Sequence, residues 1–317
     1  MEFCVDQLYS LKPTFVTKIW GGEKLYQLKG LDIVKDEPIG ETWEVSRHQD
    51  GPSFDEQGRP LSEVYSEVQL PYLVKFIDTT DNLSVQVHPD DDYASKVEGS
   101  VGKTECWLIL AAEKDAGIFL GLKKGVNRDS LQKAAESKED LSQFLNFYPI
   151  KAGDFFFVPA GTIHAIGKGV TLAEIQQSSG ITYRVWDWNR LGLDGKPREL
   201  HVQKALDVIN FSPDKNDENH FKIKRGTLAK RGTVNLIEHD DFKVQLIEAS
   251  ASQSINLKTH KRVRALISLE QELEINGKLL APYSSMVFGP EFNKEVSVKL
   301  SQSGSELSQS THYLLVQ

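Results

Sequence analysis

Short apolar runs, several of them alternating with polar positions at a period of two, recur along the 317-residue chain and are broken by Gly, Pro, Asn and Asp. Strands are expected at Tyr72–Ile77, Leu83–Val87, Glu105–Leu110, Asp154–Val158, Thr182–Trp186, Lys243–Glu248, Ala265–Leu269 and Ser285–Phe288. Three stretches read as helix instead. Leu61–Val68 stops at Leu70-Pro71, Arg128–Leu145 is rich in helix formers with apolar residues at helical spacing, and Leu200–Ile209 is the third. Many short strands with turn signals predict a mainly β chain, folded as barrels or sandwiches rather than as a parallel sheet.

Phe211–Asn219 (FSPDKNDEN) is polar and turn-rich and suits a linker. It divides the chain into an expected catalytic domain at 1–215, with a helical insertion at about 126–147, and a β domain at 216–317. A weak internal echo supports a duplicated barrel. Lys151-Ala-Gly-Asp-Phe-Phe-Phe-Val-Pro159 resembles Leu280-Ala-Pro-Tyr-Ser-Ser-Met-Val-Phe288, each a turn feeding a buried strand. The second copy has His260 without partner ligands around it, so a structural barrel without metal is expected there.

Charge and cysteine usage narrow the function classes. A formal charge of -8 and a pI near 5.6 disfavour nucleic acid and anionic membranes as partners. Cys4 and Cys106 are too few for a disulfide framework and read as free thiols in a reducing compartment. Met1–Asp6 shows no basic segment leading into an apolar one, and no apolar run reaches the length of a membrane span. A soluble cytoplasmic protein is expected.

In Leu83-Ser-Val-Gln-Val-His88, strand geometry puts Ser84, Gln86 and His88 on one face and Leu83, Val85 and Val87 on the other. The polar row then points into a barrel cavity. Glu105 opens an apolar run, with Cys106 on the opposite face as buried core. His164 ends Gly153-x5-Pro159-x-Gly161-x2-His164, the spacing of the second cupin motif, in which a Pro/Gly turn projects the imidazole inward.

These residues, together with Ile19-Trp-Gly-Gly22, Lys103-Thr-Glu105, Ala173-Glu174 and Ile181-Thr-Tyr-Arg-Val-Trp-Asp-Trp-Asn-Arg190, resemble the short bacterial form of the type I mannose-6-phosphate isomerases. The resemblance implies cupin-type jelly-roll barrels and interconversion of mannose 6-phosphate and fructose 6-phosphate through an enediol. It also implies one Zn²⁺ per chain on Gln86, His88, Glu105 and His164, and phosphate and sugar contacts on Ser84, Lys75, Arg184 and Arg190. Arg190 departs from the long forms, which carry lysine there. Without the resemblance, Arg184 and Arg190 read equally well as ion-pair partners of Asp187 or Asp194.

Two imidazoles, an amide oxygen and a carboxylate neutralise only one of the two charges of Zn²⁺, which leaves a Lewis acid. Zinc and Arg184 suit the stabilisation of a developing oxyanion. For proton transfer, Glu174 is the first choice, Lys103 the rival and a metal-bound water a third route. Two other functions fit part of the pattern. His88, Glu105 and His164 also suit a non-haem Fe(II) oxygenase, and a non-catalytic sugar-binding cupin would retain the cavity alone.

Overall fold

The computed structural model describes residues 8–34, 38–192, 194–249, 253–257, 260–301 and 311–317. Cys4 and the rest of the N-terminal heptapeptide lie outside them. The fold is mainly β, as expected, and its described strands form four sheets in which every pairing is antiparallel.

The first half of the chain builds two sheets. One is six-stranded, in the order Thr14–Gly22, Ile39–Val45, Tyr72–Thr79, Val170–Gln177, Glu105–Ala112, Phe155–Val158. The other is five-stranded, in the order Tyr183–Trp186, Val85–Val87, His164–Ile166, Gly117–Leu122, Leu145–Pro149. Apolar side chains from both, including Ile77, Trp107, Ile109, Leu120, Phe156 and Leu172, share one buried cluster, so the two sheets face each other across it. Further along the same sandwich interior lie the polar residues described below.

The period-two alternation explains how one strand serves two surroundings. In Tyr72–Thr79 every residue is buried. Tyr72, Val74 and Phe76 face outward, into a cluster shared with Val244, Leu246, Ala265, Leu314 and Val316 of the C-terminal half, and Lys75 and Ile77 face inward. Cys106 belongs to that same outward cluster, opposite in direction to Glu105. The back of the five-stranded sheet is covered by the helices Arg128–Glu136 and Val202–Val208.

The C-terminal half adds a six-stranded and a four-stranded sheet around a second apolar core. The first strand of the chain, Leu8–Ser10, pairs with Ser285–Phe288 in this half. The internal echo is structural. From 151 and from 281 the backbone repeats the same order of turn, strand, turn and strand, offset by 130 positions. At that offset Lys294 stands where the first copy has His164.

Two expectations are corrected. The helix expected over 128–145 ends at Glu136, because the polar Ser137–Asp140 stretch offers no apolar face and Lys138 adopts a positive φ of 55°. Asp140 then caps a short 3-10 turn, Leu141–Phe144, and the chain continues as the strand Leu145–Pro149. The helix expected over 61–68 stops at Val64, since Tyr65 is extended. Within the polar stretch 211–219, the Asn216 side chain accepts from Leu122 N–H and donates to the carbonyls of Asn210 and Ser212.

Candidate metal centre and substrate cavity

Four segments far apart in sequence converge inside the first sandwich. His164 sits directly across from Gln86 in the sheet, and Gln86 in turn lies across from Arg184. Glu105 opens its strand opposite Gln176, two residues from Glu174. His88, Glu105 and His164 are all buried, and their ligand-capable atoms lie within 4.8 Å of one another. Among the described residues no other group of three His, Cys, Asp or Glu side chains comes together in this way.

The hydrogen bonds behind the imidazoles fix which nitrogen is free. His88 Nδ1 is 2.7 Å from the Ile181 carbonyl and His164 Nδ1 is 2.9 Å from the Thr162 carbonyl. A carbonyl can only accept, so each Nδ1 carries the proton and each Nε2 presents a lone pair to the shared point. His88 Nε2 is 3.6 Å from Glu105 Oε2, and His164 Nε2 is 3.4 Å from Glu105 Oε1. The carboxylate is ion-paired through Oε2 with the Lys103 ammonium at 2.7 Å, and that ammonium also lies 3.1 Å from His88 Nε2; Oε1 has no hydrogen-bond partner. Gln86 Nε2 lies 3.3 Å from His164 Nε2. An amide flip exchanges its nitrogen and oxygen, so the same side chain can offer oxygen to that point.

Burial dominates the protonation states here. It holds His88 well below the usual histidine range and His164 at about 4, and the Lys103 ammonium pushes the same way. Both imidazoles are therefore neutral ligands at pH 7. A buried carboxylate beside two neutral, backbone-oriented imidazoles is a donor set that a divalent cation satisfies.

Above the cluster lies a cavity of about 380 Å³, lined among others by Ser84, Gln86, Lys75, Lys103, Glu174, Arg184 and Arg198. Its lining cations are unequally compensated. Lys75 is buried between Glu41 (3.6 Å) and Glu174 (3.7 Å) and lies 4.2 Å from the centre of the Trp43 ring. Burial opposes ionisation of Glu41, but Lys75 and Lys18 prevail and hold its carboxyl at about 2. Glu174 Oε2 accepts from the Trp107 indole at 2.9 Å, and burial followed by the Glu105 carboxylate raises its pKa above the usual glutamate value. Arg184 donates to the Glu199 carbonyl, while its buried Nε–H has no hydrogen-bond partner.

Comparison with known proteins follows the same lines. Residues 8–116 match the family described as phosphomannose isomerase type I, catalytic domain. Mannose-6-phosphate isomerase ManA of Bacillus subtilis is 36% identical over 289 residues, covering 86% of this chain and 89% of ManA. The chain belongs to the type I phosphomannose isomerases. A mannose-6-phosphate isomerase of Streptococcus mutans is 42% identical over 213 residues, 63% of this chain and 66% of that protein. The crystal structure of the Bacillus subtilis mannose 6-phosphate isomerase superposes with a TM-score of 0.79 at 29% identity, covering 98% of each chain. The apo enzyme of Salmonella typhimurium shares the fold at a TM-score of 0.72 and 16% identity, again over 98% of each chain. The chain is thus an isomerase of the cupin fold.

Of the site residues expected in this family member, the structure gathers Gln86, His88, Glu105, His164, Lys103, Glu174, Lys75, Ser84 and Arg184 at one centre. Arg190 is not among them. Its guanidinium is held by Asp81 at 2.8 Å and by Asp187 at 3.0 Å, and it does not line the cavity; the ion-pair reading is the one the structure shows. Arg198, eight residues on, lines the cavity while both ends of its guanidinium are held by Asp187. Arg198 and the inward row Lys18, Glu41 and Trp43 were not singled out in the sequence. The alternating Val16-x-Lys18-x-Trp20 and Glu41-x-Trp43 patterns carried that signal.

Proposed function

We propose that this protein interconverts mannose 6-phosphate and fructose 6-phosphate through an enediol, with one Zn²⁺ held by Gln86, His88, Glu105 and His164. The observation that carries the reading is the convergence of two neutral, backbone-oriented imidazoles on one buried carboxylate beneath a cavity lined with cations. When bound, the ion supplies Lewis acidity toward a substrate oxygen, since this ligand set leaves it with net positive charge.

The chain's own groups divide the remaining work. Glu174 takes the proton from one of C1 and C2 and returns it to the other. A buried carboxyl with its pKa raised is suited to both halves of that task, and the Trp107 indole fixes one oxygen while the other faces Lys75. Lys103 is the weaker base. Burial opposes its charge, but the Glu105 carboxylate raises its pKa, and the ammonium donates toward Glu105 and His88. We assign Lys103 to charge balance at the cavity floor. The free Nε–H of Arg184 is the donor left for the oxyanion that develops as the enediol forms.

The phosphate is received by Ser84, Lys75 and the Arg184–Arg198 side of the cavity, Arg198 taking the part expected of Arg190. A cytoplasmic setting, with a freely diffusing sugar phosphate, fits this reading. A coupled assay for fructose 6-phosphate formation from mannose 6-phosphate, with and without chelator, tests it. Turnover abolished by chelation and restored by Zn²⁺ is expected. Oxygen consumption with Fe(II) and no isomerisation would instead mark a non-haem iron centre.

A further inference from the structure

The loop that delivers Glu105 is locked by a hydrogen-bond hub centred on Gln177, and the C-terminal half of the chain takes part in it. Thr104 lies between Lys103 and Glu105. Its N–H donates to Gln177 Oε1 at 2.7 Å, and its carbonyl accepts from Gln177 N–H at 3.0 Å. The Thr104 hydroxyl accepts from Ala160 N–H at 3.2 Å, in the turn that leads to His164. The next residue of that turn, Gly161, donates its N–H to the His88 carbonyl at 2.8 Å. One buried threonine thus ties the Glu105 segment to the His164 turn, which is itself tied to His88.

Gln177, also buried, has two amide hydrogens to place. One side goes to Asp91, at the start of the helix that follows His88-Pro89, at 3.1 Å. The same Asp91 oxygen accepts from Gly102 N–H at 2.8 Å, gripping the loop again two residues before Thr104. The other goes to Asp241 Oδ2 at 2.7 Å. Asp241 belongs to the turn joining the C-terminal strands Thr233–Glu238 and Lys243–Ala249, where Arg262 pairs with it at 3.6 Å. With Asp241 in place the Gln177 side chain is fully satisfied. Without it, a buried N–H next to the ligand loop loses its acceptor, and the amide is free to turn away from Thr104.

We infer that Asp241 is a positioning residue through which the C-terminal half holds Gln177, and through it the Glu105 segment, in metal-binding geometry. The inference rests on the metal site proposed above. Groups hydrogen-bonded directly to metal ligands typically change metal affinity by about 10- to 100-fold when removed; Asp241 acts further out, through Gln177 and the Thr104 backbone, so the low end of that range is expected.

The test uses the full-length chain stripped of metal, titrated with Zn²⁺ against a chromophoric chelator, with thermal unfolding of the metal-free proteins measured alongside. Asp241→Ala is expected to bind Zn²⁺ about tenfold more weakly than wild type. Asp241→Asn, whose amide oxygen can still accept from Gln177, is expected to restore most of that loss. If Asp241→Ala fails to fold, Asp241→Ser, whose hydroxyl is too short to reach Gln177, carries the same expectation. Wild-type Zn²⁺ affinity in Asp241→Ala, whatever its melting temperature, would make the contact a plain interdomain tie and overturn the inference. If wild type itself binds no Zn²⁺, the failure belongs to the metal-site reading instead.

Discussion

At the scale of single residues, the three arginines between 184 and 198 differ in how much of their charge is already spent. Arg190 is held by Asp81 and Asp187, and Arg198 is gripped at both ends by Asp187 yet still faces the cavity. Arg184 makes one bond to a backbone carbonyl and keeps a free Nε–H; burial, and then Arg198, lowers its pKa. A guanidinium under that pressure gains most when negative charge develops beside it. Arg184→Ala is therefore expected to lower kcat by roughly 10²–10³, the cost of losing one oxyanion donor, with zinc content unchanged. Arg198→Ala is expected to raise KM for mannose 6-phosphate with a much smaller effect on kcat. Steady-state kinetics with metal analysis separate the two, and wild-type kinetics for Arg184→Ala would remove it from the mechanism.

At the scale of elements, the turn Pro159–Gly161 aims His164. Gly161 has φ of +81°, and a Cβ there would stand 2.9 Å from the Val208 carbonyl, so alanine is both strained and crowded. Gly161→Ala is expected to cost about 1–3 kcal/mol and to weaken zinc binding, because Gly161 N–H also holds the His88 carbonyl. Denaturant melts and zinc titration check both effects; intact affinity would show that the turn tolerates the change. This element was legible in the sequence because its function needs a rare backbone conformation and leaves Pro and Gly at fixed positions. The strands that carry the proposed ligands were legible for a related reason: Gln86 and Glu105 turn inward on one face, and their neighbours Val85, Val87 and Cys106 are buried on the other. The helix Asp91–Glu98 was not. Its apolar side chains are few, Ala94 being buried and Val97 exposed, and its ends identify it best, Asp90 accepting from Tyr93 N–H and Gly99 closing it in the left-handed region. Arg198 escaped notice because it sits in a polar, turn-rich stretch with no periodicity, where only tertiary packing decides which charge meets the cavity.

At the scale of the whole molecule, the fold and the metal site draw on different resources. Four apolar clusters hold the sheets together, and none of His88, Glu105 or His164 belongs to them, so removing metal should leave the chain folded. What the bare site leaves behind is a stability that depends on pH. Burial holds His164 at about 4 and His88 well below the ordinary value of 6.5. Between those limits the unfolded chain binds more protons than the folded one, so stability falls as pH drops from about 6.5 toward 4. Glu174 acts in the opposite sense, since its raised carboxyl takes up a proton in the folded state first, but it is one group against two. Zinc should add about 2.7 kcal/mol when free metal stands at a hundred times its Kd, and that increment should persist over the same interval, because the folded imidazoles stay neutral until pH approaches about 4 and only then cease to ligate. Melting temperatures of metal-free and zinc-loaded protein, measured from pH 7.5 to 4.5, are both expected to decline on acidification, with the zinc-loaded curve staying above the metal-free one. A metal-free melting temperature that rises toward acid would mean that the two imidazoles are not held neutral by burial.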